Sequence, residues 1–319
     1  MSHYDVFNGD ADGLCALQQI RLHQPVRGAT LITGVKRDIS LLKRIEGEAG
    51  DTITVLDVSL DKNREDLQRL LNIGCAIEYY DHHFAGEISQ HPNLKTTIDP
   101  SPETCTSLIV NQAIGGSYLG WAVVGAFGDN FHDAARRAAK PLGLDAEQLG
   151  ALSELGTCIN YNGYGMEIED LHFHPEALAR VMRLYHDPLE FIASEEAYQT
   201  LHAGYHDDMG RAESLKPEAS NERTALFIMP DEPWARRVSG VYSNLLARVY
   251  PDRAHAILTQ MENGNFRVSV RAPLQTKQGA DLLCREFPNG GGRQAAAGIN
   301  ELVASDYDLF LSRFRAIFG

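Results

Sequence analysis

The chain has little of what marks several large protein classes. Its five cysteines, Cys15, Cys75, Cys105, Cys158 and Cys284, include no CxxC pair, and an odd, scattered set does not make a disulfide framework. Buried, reduced thiols in a cytoplasmic protein are expected. No apolar run is long enough to span a bilayer, and residues 1–5 are polar, so neither a membrane span nor a signal peptide is read. Low-complexity tracts and fixed-period repeats are absent, so a repeat architecture is not expected. Positive charge is scarce: 29 Lys and Arg stand against 43 Asp and Glu, a net charge of -14 at pH 7. Long duplex nucleic acid is gripped by basic surfaces that displace counterions, which argues against that partner. A small anion held in a local basic pocket is still allowed.

What is present is a repeated local pattern. The 319 residues are 44% hydrophobic, enough for a sizeable core and, by length, two domains. An apolar run at residues 75–80 closes in Asp81-His82-His83. The strand-like residues 4–7 run into Asn8-Gly9-Asp10-Ala11-Asp12-Gly13, and residues 52–56 run into Asp57. Charged groups at the ends of buried strands are costly unless paired or bound to metal. Three such strands would gather these groups at one sheet edge, where open α/β sheets place their ligands. A fourth apolar segment, residues 121–127, ends in Gly128-Asp129-Asn130. Helices are read at residues 14–21, 39–46, 63–72, 104–113 and 147–158, with strands at 29–34 and 52–60. This β-α-β alternation predicts a parallel sheet covered by helices.

Residues 160–165 read as an aromatic, turn-rich loop. His172 and His174 read as alternating positions of a short extended piece, with a metal pair as the weaker alternative. Residues 175–185 and 188–205 are helical, and the polar residues 207–222 suit a linker. From Arg223 the pattern restarts: a strand at 224–229, a helix at 240–250, strands at 254–261 and 266–272 joined through Asn263-Gly264, and a helix at 279–287. Arg267, Ser269 and Arg271 alternate with Val268 and Val270, giving one basic face. That face reads either as an anion surface or as an ordinary solvated sheet face. The glycine-rich residues 290–298 expose amides that could hold an anion, aided by the start of a following helix.

In order, these motifs resemble the DHH/DHHA1 phosphoesterase family, whose members include RecJ exonucleases and nanoRNA and pAp phosphatases. The resemblance rests on Asp10-x-Asp12 with Gly13, on Asp57, on Asp81-His82-His83, on Asp129, and on Gly290-Gly291-Gly292-Arg293. It implies an N-terminal parallel-sheet α/β domain carrying metals (residues 1–185), a helical connector (186–222) and a smaller α/β substrate-binding domain (223–319). It also implies two Mn²⁺ ions, with Mg²⁺ as the substitute. Asp10 and Asp57 would hold the first ion, with Asn8 as a neutral oxygen donor. Asp12, Asp57, His82 and Asp129 would hold the second. His83 would contact the phosphate and Asp81 would support it. Arg271, Gly290, Gly291, Gly292 and Arg293 would bind substrate in a cleft between the domains. The implied activity is hydrolysis of a short nucleotide (a dinucleotide, nanoRNA or bisphosphonucleoside) by metal-activated water. Alternatives are an inorganic polyphosphatase or pyrophosphatase and a non-catalytic nucleotide-binding module. A homodimer is left open. The chain departs from the family pattern at Val6 and Asn8, which predicts a weak first ion, and at Arg293, where the loop usually carries His.

Overall fold

The computed structural model describes residues 1–319, which form two compact units, Met1–Ala203 and Gly204–Gly319. No helix is long and apolar enough to cross a membrane. All five cysteines are free and buried.

In chain order the first unit contains β1 (His3–Phe7), α1 (Ala11–His23), β2 (Thr30–Ile32), β3 (Thr52–Leu56), α2 (Arg64–Ile73), β4 (Ala76–Asp81), β5 (Leu94–Ile98), α3 (Thr106–Ala113), α4 (Leu119–Gly128), α5 (His132–Ala139), α6 (Ala146–Gly163), α7 (Pro175–Met182) and α8 (Pro188–Ser194). The sheet order is β2-β1-β3-β4-β5 and every pair is parallel. A parallel sheet must be covered on both faces, so the buried positions of its central strands are mostly apolar, with Asp5 and Thr54 among the polar exceptions. On one face Val6, Ile53, Val55, Ile77 and Tyr79 pack with Leu67, Leu70 and Leu71 of α2. On the other, α1 packs against β1 and β3 and then against α3, α4 and α6. Close approach in that helical layer depends on glycine: a Cβ on Gly156 would lie 2.3 Å from the carbonyl oxygen of Val124. One charge pair is buried beneath α1. Arg21 donates from Nε and Nη2 to both oxygens of Asp5, whose side chain is fully enclosed. Burial raises the Asp5 pKa, but His3 and Arg21 outweigh it and hold the carboxyl below its usual range.

The next helix, α9 (Glu196–Glu213), is followed in the second unit by β6 (Ala219–Ser220), β7 (Thr224–Met229), α10 (Pro233–Val249), β8 (Ala254–Gln260), β9 (Phe266–Arg271), α11 (Ala280–Arg285), β10 (Gly290–Gly292), β11 (Ala296–Leu302) and α12 (Tyr307–Phe318). The sheet order is β10-β11-β9-β8-β7-β6, with β7 and β8 the parallel pair. Leu226, Leu258, Val268, Val270 and Ile299 form a core with Leu283 and Phe287 and with Phe310, Phe314 and Phe318 of α12. The last three recur every four residues, which puts them on one helix face.

Several local expectations are corrected. Residues 39–46 form only a 3-10 turn, Leu42–Arg44. The Asn63 side chain takes the amide of Leu42 and donates to the carbonyl of Ile39, so the local backbone is satisfied without a longer helix. The strand expected over 52–60 stops at Leu56, because Asp57 takes a left-handed backbone with φ of 59°. Residues 160–163 are not a loop but the last turn of α6. His174 caps α7 by accepting from the Glu176 amide, and His172 meets the Tyr161 hydroxyl at 2.7 Å. Residues 207–213, expected in a linker, are helical. A strand, not a helix, directly follows the glycines: Gly290–Gly292 pairs antiparallel with Ala296–Leu302 as an edge hairpin. The basic face of β9 is not simply solvated, since α10 packs against β8 and β9. The edge strand β5, Leu-Lys-Thr-Thr-Ile, has no counterpart among the expected strands.

Beside Arg271 in the sheet register lies His255, 1% exposed on β8. Burial, aided by the Arg253 cation, pushes its imidazole down to about 4. An unfolded histidine titrates near 6.5. Between those values the unfolded chain therefore binds more protons, so folding stability falls as pH drops through this window and is unaffected above it. The loss amounts to about 3 kcal/mol near pH 4. Urea unfolding of the full chain should show the stability gap between wild type and His255→Gln shrinking by about that amount from pH 7 to pH 4.

Candidate metal centre

The carboxyl ends of β1, β3 and β4 deliver the charged groups to one sheet edge. At the end of β1, Asp10 caps α1: its Oδ1 accepts from the amides of Asp12 and Gly13 at 3.0 and 3.1 Å. Asp12, in the first turn of α1, faces the start of α3 and accepts from the amides of Thr106 and Ser107 at 2.7 and 2.8 Å. A helix N-terminus favours negative charge there. The Thr106 hydroxyl donates to Asp57 Oδ1 at 3.0 Å. The left-handed turn at Asp57 ends β3, and its amide continues the ladder to Tyr80. His82 and His83 follow β4 directly, and Asp129 follows α4.

These groups converge. Asp12, His82 and Asp129 each offer a ligand atom within 4.8 Å of the others, and so do Asp57, His82 and His83. His82 Nε2 stands 3.5 Å from Asp57 Oδ1 and 3.6 Å from Asp129 Oδ2. His83 Nδ1 meets Asp81 Oδ1 at 2.7 Å, and Asp81 is wholly buried behind it. Asn8 is buried too; its Nδ2 donates to the Lys36 carbonyl at 3.3 Å, while its Oδ1 has no partner. Asp10 belongs to neither triad and instead engages Lys36, with Oδ2 to Nζ at 2.5 Å. Arg271, Gly290, Gly291, Gly292 and Arg293 lie in the second unit. There Arg271 donates from Nε to Asn244 Oδ1 at 2.9 Å and from Nη1 to Ser269 Oγ at 3.1 Å.

Electrostatics follow from this crowding. Burial, then Asp12, Asp10, Asp129 and Asp81, hold the Asp57 carboxyl well above the ordinary range. Burial also acts to raise Asp10, but Lys36 wins and lowers it. Burial opposes charge on His83, yet Asp81 holds its imidazole above the usual value. Carboxylates interleaved with imidazole suit a divalent ion, and the imidazole favours Mn²⁺ over Mg²⁺. Asp12, Asp57, His82 and Asp129 have the chemistry to hold one.

Three contributors escaped the sequence reading. Lys36 reaches in from the turn after β2, contacting Asp129 Oδ1 at 3.0 Å and Asn160 Oδ1 at 3.1 Å. Asn160 comes from the last turn of α6, and Thr106 begins α3. The available signal for Lys36 was its place just beyond another strand of the same sheet.

No protein-family profile matches the sequence, and no curated protein matches it. Solved structures do match in fold. Exonuclease RecJ bound to manganese superposes with a TM-score of 0.63 at 16% identity, covering 99% of this chain and 89% of that one. A pGpG-specific phosphodiesterase, PggH from Vibrio cholerae, gives 0.60 at 12%, covering 99% and 100%. The DHH domain of a protein described as belonging to a family of ribosomal proteins gives 0.61 at 13%, covering 99% and 86%. At these identities the likeness establishes a shared fold.

Replacing Asp57 by Asn keeps its shape, suits the left-handed backbone and removes one of the clustered charges. Asp57→Asn should raise the melting temperature of the metal-free protein by roughly 2–4 °C, the shift expected for about 1 kcal/mol. It should also cancel the further rise expected of the wild type when Mn²⁺ is added. Thermal melts with and without Mn²⁺ check both.

Proposed function

We propose that this chain, which folds as DHH-domain proteins do, is a divalent-metal-dependent phosphoesterase acting on short nucleotides. The candidate substrates are a dinucleotide, a nanoRNA or a bisphosphonucleoside. The observation that carries the reading is the meeting of Asp12, Asp57, His82 and Asp129, remote in sequence, beside an open His83. RecJ, solved with manganese, and PggH, described as specific for pGpG, share the fold and lend support.

Under this reading Asp12, Asp57, His82 and Asp129 hold the divalent ion. Such an ion supplies Lewis-acid stabilisation of phosphoryl oxygens and acidifies water. The chain's own groups do the rest. The α3 amides fix the orientation of Asp12, and the Thr106 hydroxyl fixes that of Asp57. Asp81 accepts the Nδ1–H hydrogen bond of His83, which leaves Nε2 to meet a phosphate oxygen. His83 is 34% exposed, open enough to touch substrate. We further assign to Arg271, Gly290, Gly291, Gly292 and Arg293 of the second unit the binding of an anionic group of the substrate. An arginine stays charged at all working pH values and can fork onto a phosphate, so a proton-donor role is not expected of Arg293. The acidic balance of the chain fits a small substrate better than a long duplex.

Purified protein should hydrolyse linear dinucleotides or bisphosphonucleosides in the presence of Mn²⁺ and lose that activity to chelation. The comparison panel is cyclic dinucleotides and inorganic polyphosphate; turnover confined to polyphosphate would replace the nucleotide reading. Asp57→Ala should lower kcat by about a thousandfold or more. Arg271→Ala should raise KM about tenfold, the loss of one charge-assisted contact, with kcat little changed. Steady-state kinetics on the best substrate of the panel decide both.

A further inference from the structure

The family resemblance implies two cation positions, and the chain places a cation of its own on Asp10, a carboxylate assigned to the first. Lys36 Nζ lies 2.5 Å from Asp10 Oδ2, 3.0 Å from Asp129 Oδ1 and 3.1 Å from Asn160 Oδ1. An ammonium has three N–H donors, and each has an oxygen here. Those oxygens come from the turn after β1, the end of α4 and the last turn of α6. The backbone of Lys36 is fixed as well. Its amide donates to the Gly163 carbonyl at 2.9 Å, and its carbonyl accepts from Asn8 Nδ2 at 3.3 Å. The Tyr164 ring stands 5.4 Å from Nζ. Asn160 is 2% exposed, so its carbonyl oxygen is a built acceptor rather than a passing surface group.

We infer that the Lys36 ammonium permanently fills the first cation position, so that the centre takes one divalent ion where a two-metal hydrolase takes two. This rests on the metal-dependent reading above and revises the expectation of two Mn²⁺ ions. The argument is one of shared oxygens. Asp10 Oδ1 is committed to the amides of Asp12 and Gly13, and Asp10 Oδ2 to the ammonium. A dication on Asp10 would sit against a like charge held by the same oxygen, and an ammonium, unlike a neutral amide, repels it. Asp129 divides the two positions: Oδ1 faces Lys36 and Oδ2 faces His82. The donors that remain fall in two overlapping triads, Asp12–His82–Asp129 and Asp57–His82–His83, and the shared His82 joins them into one centre. The neutral side chain of Asn8 fits the same assignment, since a first site that holds one positive charge needs less negative charge around it. Lys36 then acts as a fixed counter-charge beside the ion, with a constant position and no dependence on metal supply.

Native mass spectrometry of the full chain equilibrated with Mn²⁺, together with EPR, tests this without reference to turnover. The wild type should hold one Mn²⁺ per chain with the spectrum of an isolated ion. Lys36→Met, which keeps the aliphatic stem, should hold two, with an exchange-coupled spectrum. Lys36→Arg should stay at one, because the charge is retained. Two coupled ions in the wild type overturn the inference and leave the phosphoesterase reading standing. A Lys36→Met protein that still holds one ion overturns it as well. No ion in the wild type removes the phosphoesterase reading itself, and this inference with it, so the two failures are told apart.

Discussion

The constraint on which the first unit depends is the mutual repulsion of carboxylates gathered away from water. Asp10, Asp12, Asp57 and Asp81 are each no more than 2% exposed, and Asp129 stands beside them. Like charges in such surroundings must be neutralised, hydrogen-bonded or protonated. Each is answered locally. Asp12 is answered by the α3 amides, Asp10 by its own helix and Lys36, and Asp81 by His83. Asp57 has the Thr106 hydroxyl and, at 3.5 Å, the His82 imidazole against its neighbours' negative charge. It is the group left most in need of a cation.

This constraint explains features of the fold that would otherwise look arbitrary. The turn between β1 and α1 is compressed so that Asp10 can cap the helix while Asp12 reaches α3. A Cβ on Gly13 would lie 2.2 Å from the Asn8 carbonyl oxygen, so this turn accepts no side chain at that position. Gly128 lets α4 meet α1 closely: a Cβ there would fall 2.3 Å from that of Ala11. That approach sets Asp129 next to His82. Packing in the helical layer thus fixes the geometry of a site whose ligands come mainly from the sheet.

The second unit follows a different logic. Its core is apolar and aromatic, with α12 supplying a row of phenylalanines, and its polar interest lies on the face of β9 covered by α10. The glycine-rich segment is an edge hairpin rather than a helix-capping loop. In such a hairpin alternate amides point away from the partner strand, and that of Gly290 is taken up by the Phe287 carbonyl.

Much of the architecture was legible. The apolar runs that end in Asp, Asn or His marked β1, β3 and β4 and the edge to which they point, because a charged residue in an apolar run needs a reason to be there. The strand, turn and strand around Asn263-Gly264 were equally plain. Legibility failed where local pattern was weak or ambiguous. The threonine-rich edge strand β5 lacks an apolar run. Residues 39–46 have helical spacing but are held in one short turn by Asn63. Residues 160–163 look like a turn by composition and continue α6 because the helix is buried there. The sequence by itself determined which acids and imidazoles would need company, since their chemistry and their place at strand ends are local facts. Only the tertiary structure decided the company they keep. Asn160 and Thr106 carry no local mark and Lys36 only its place beyond a strand, and their roles exist only because three separate elements bring oxygen and nitrogen within hydrogen-bonding distance.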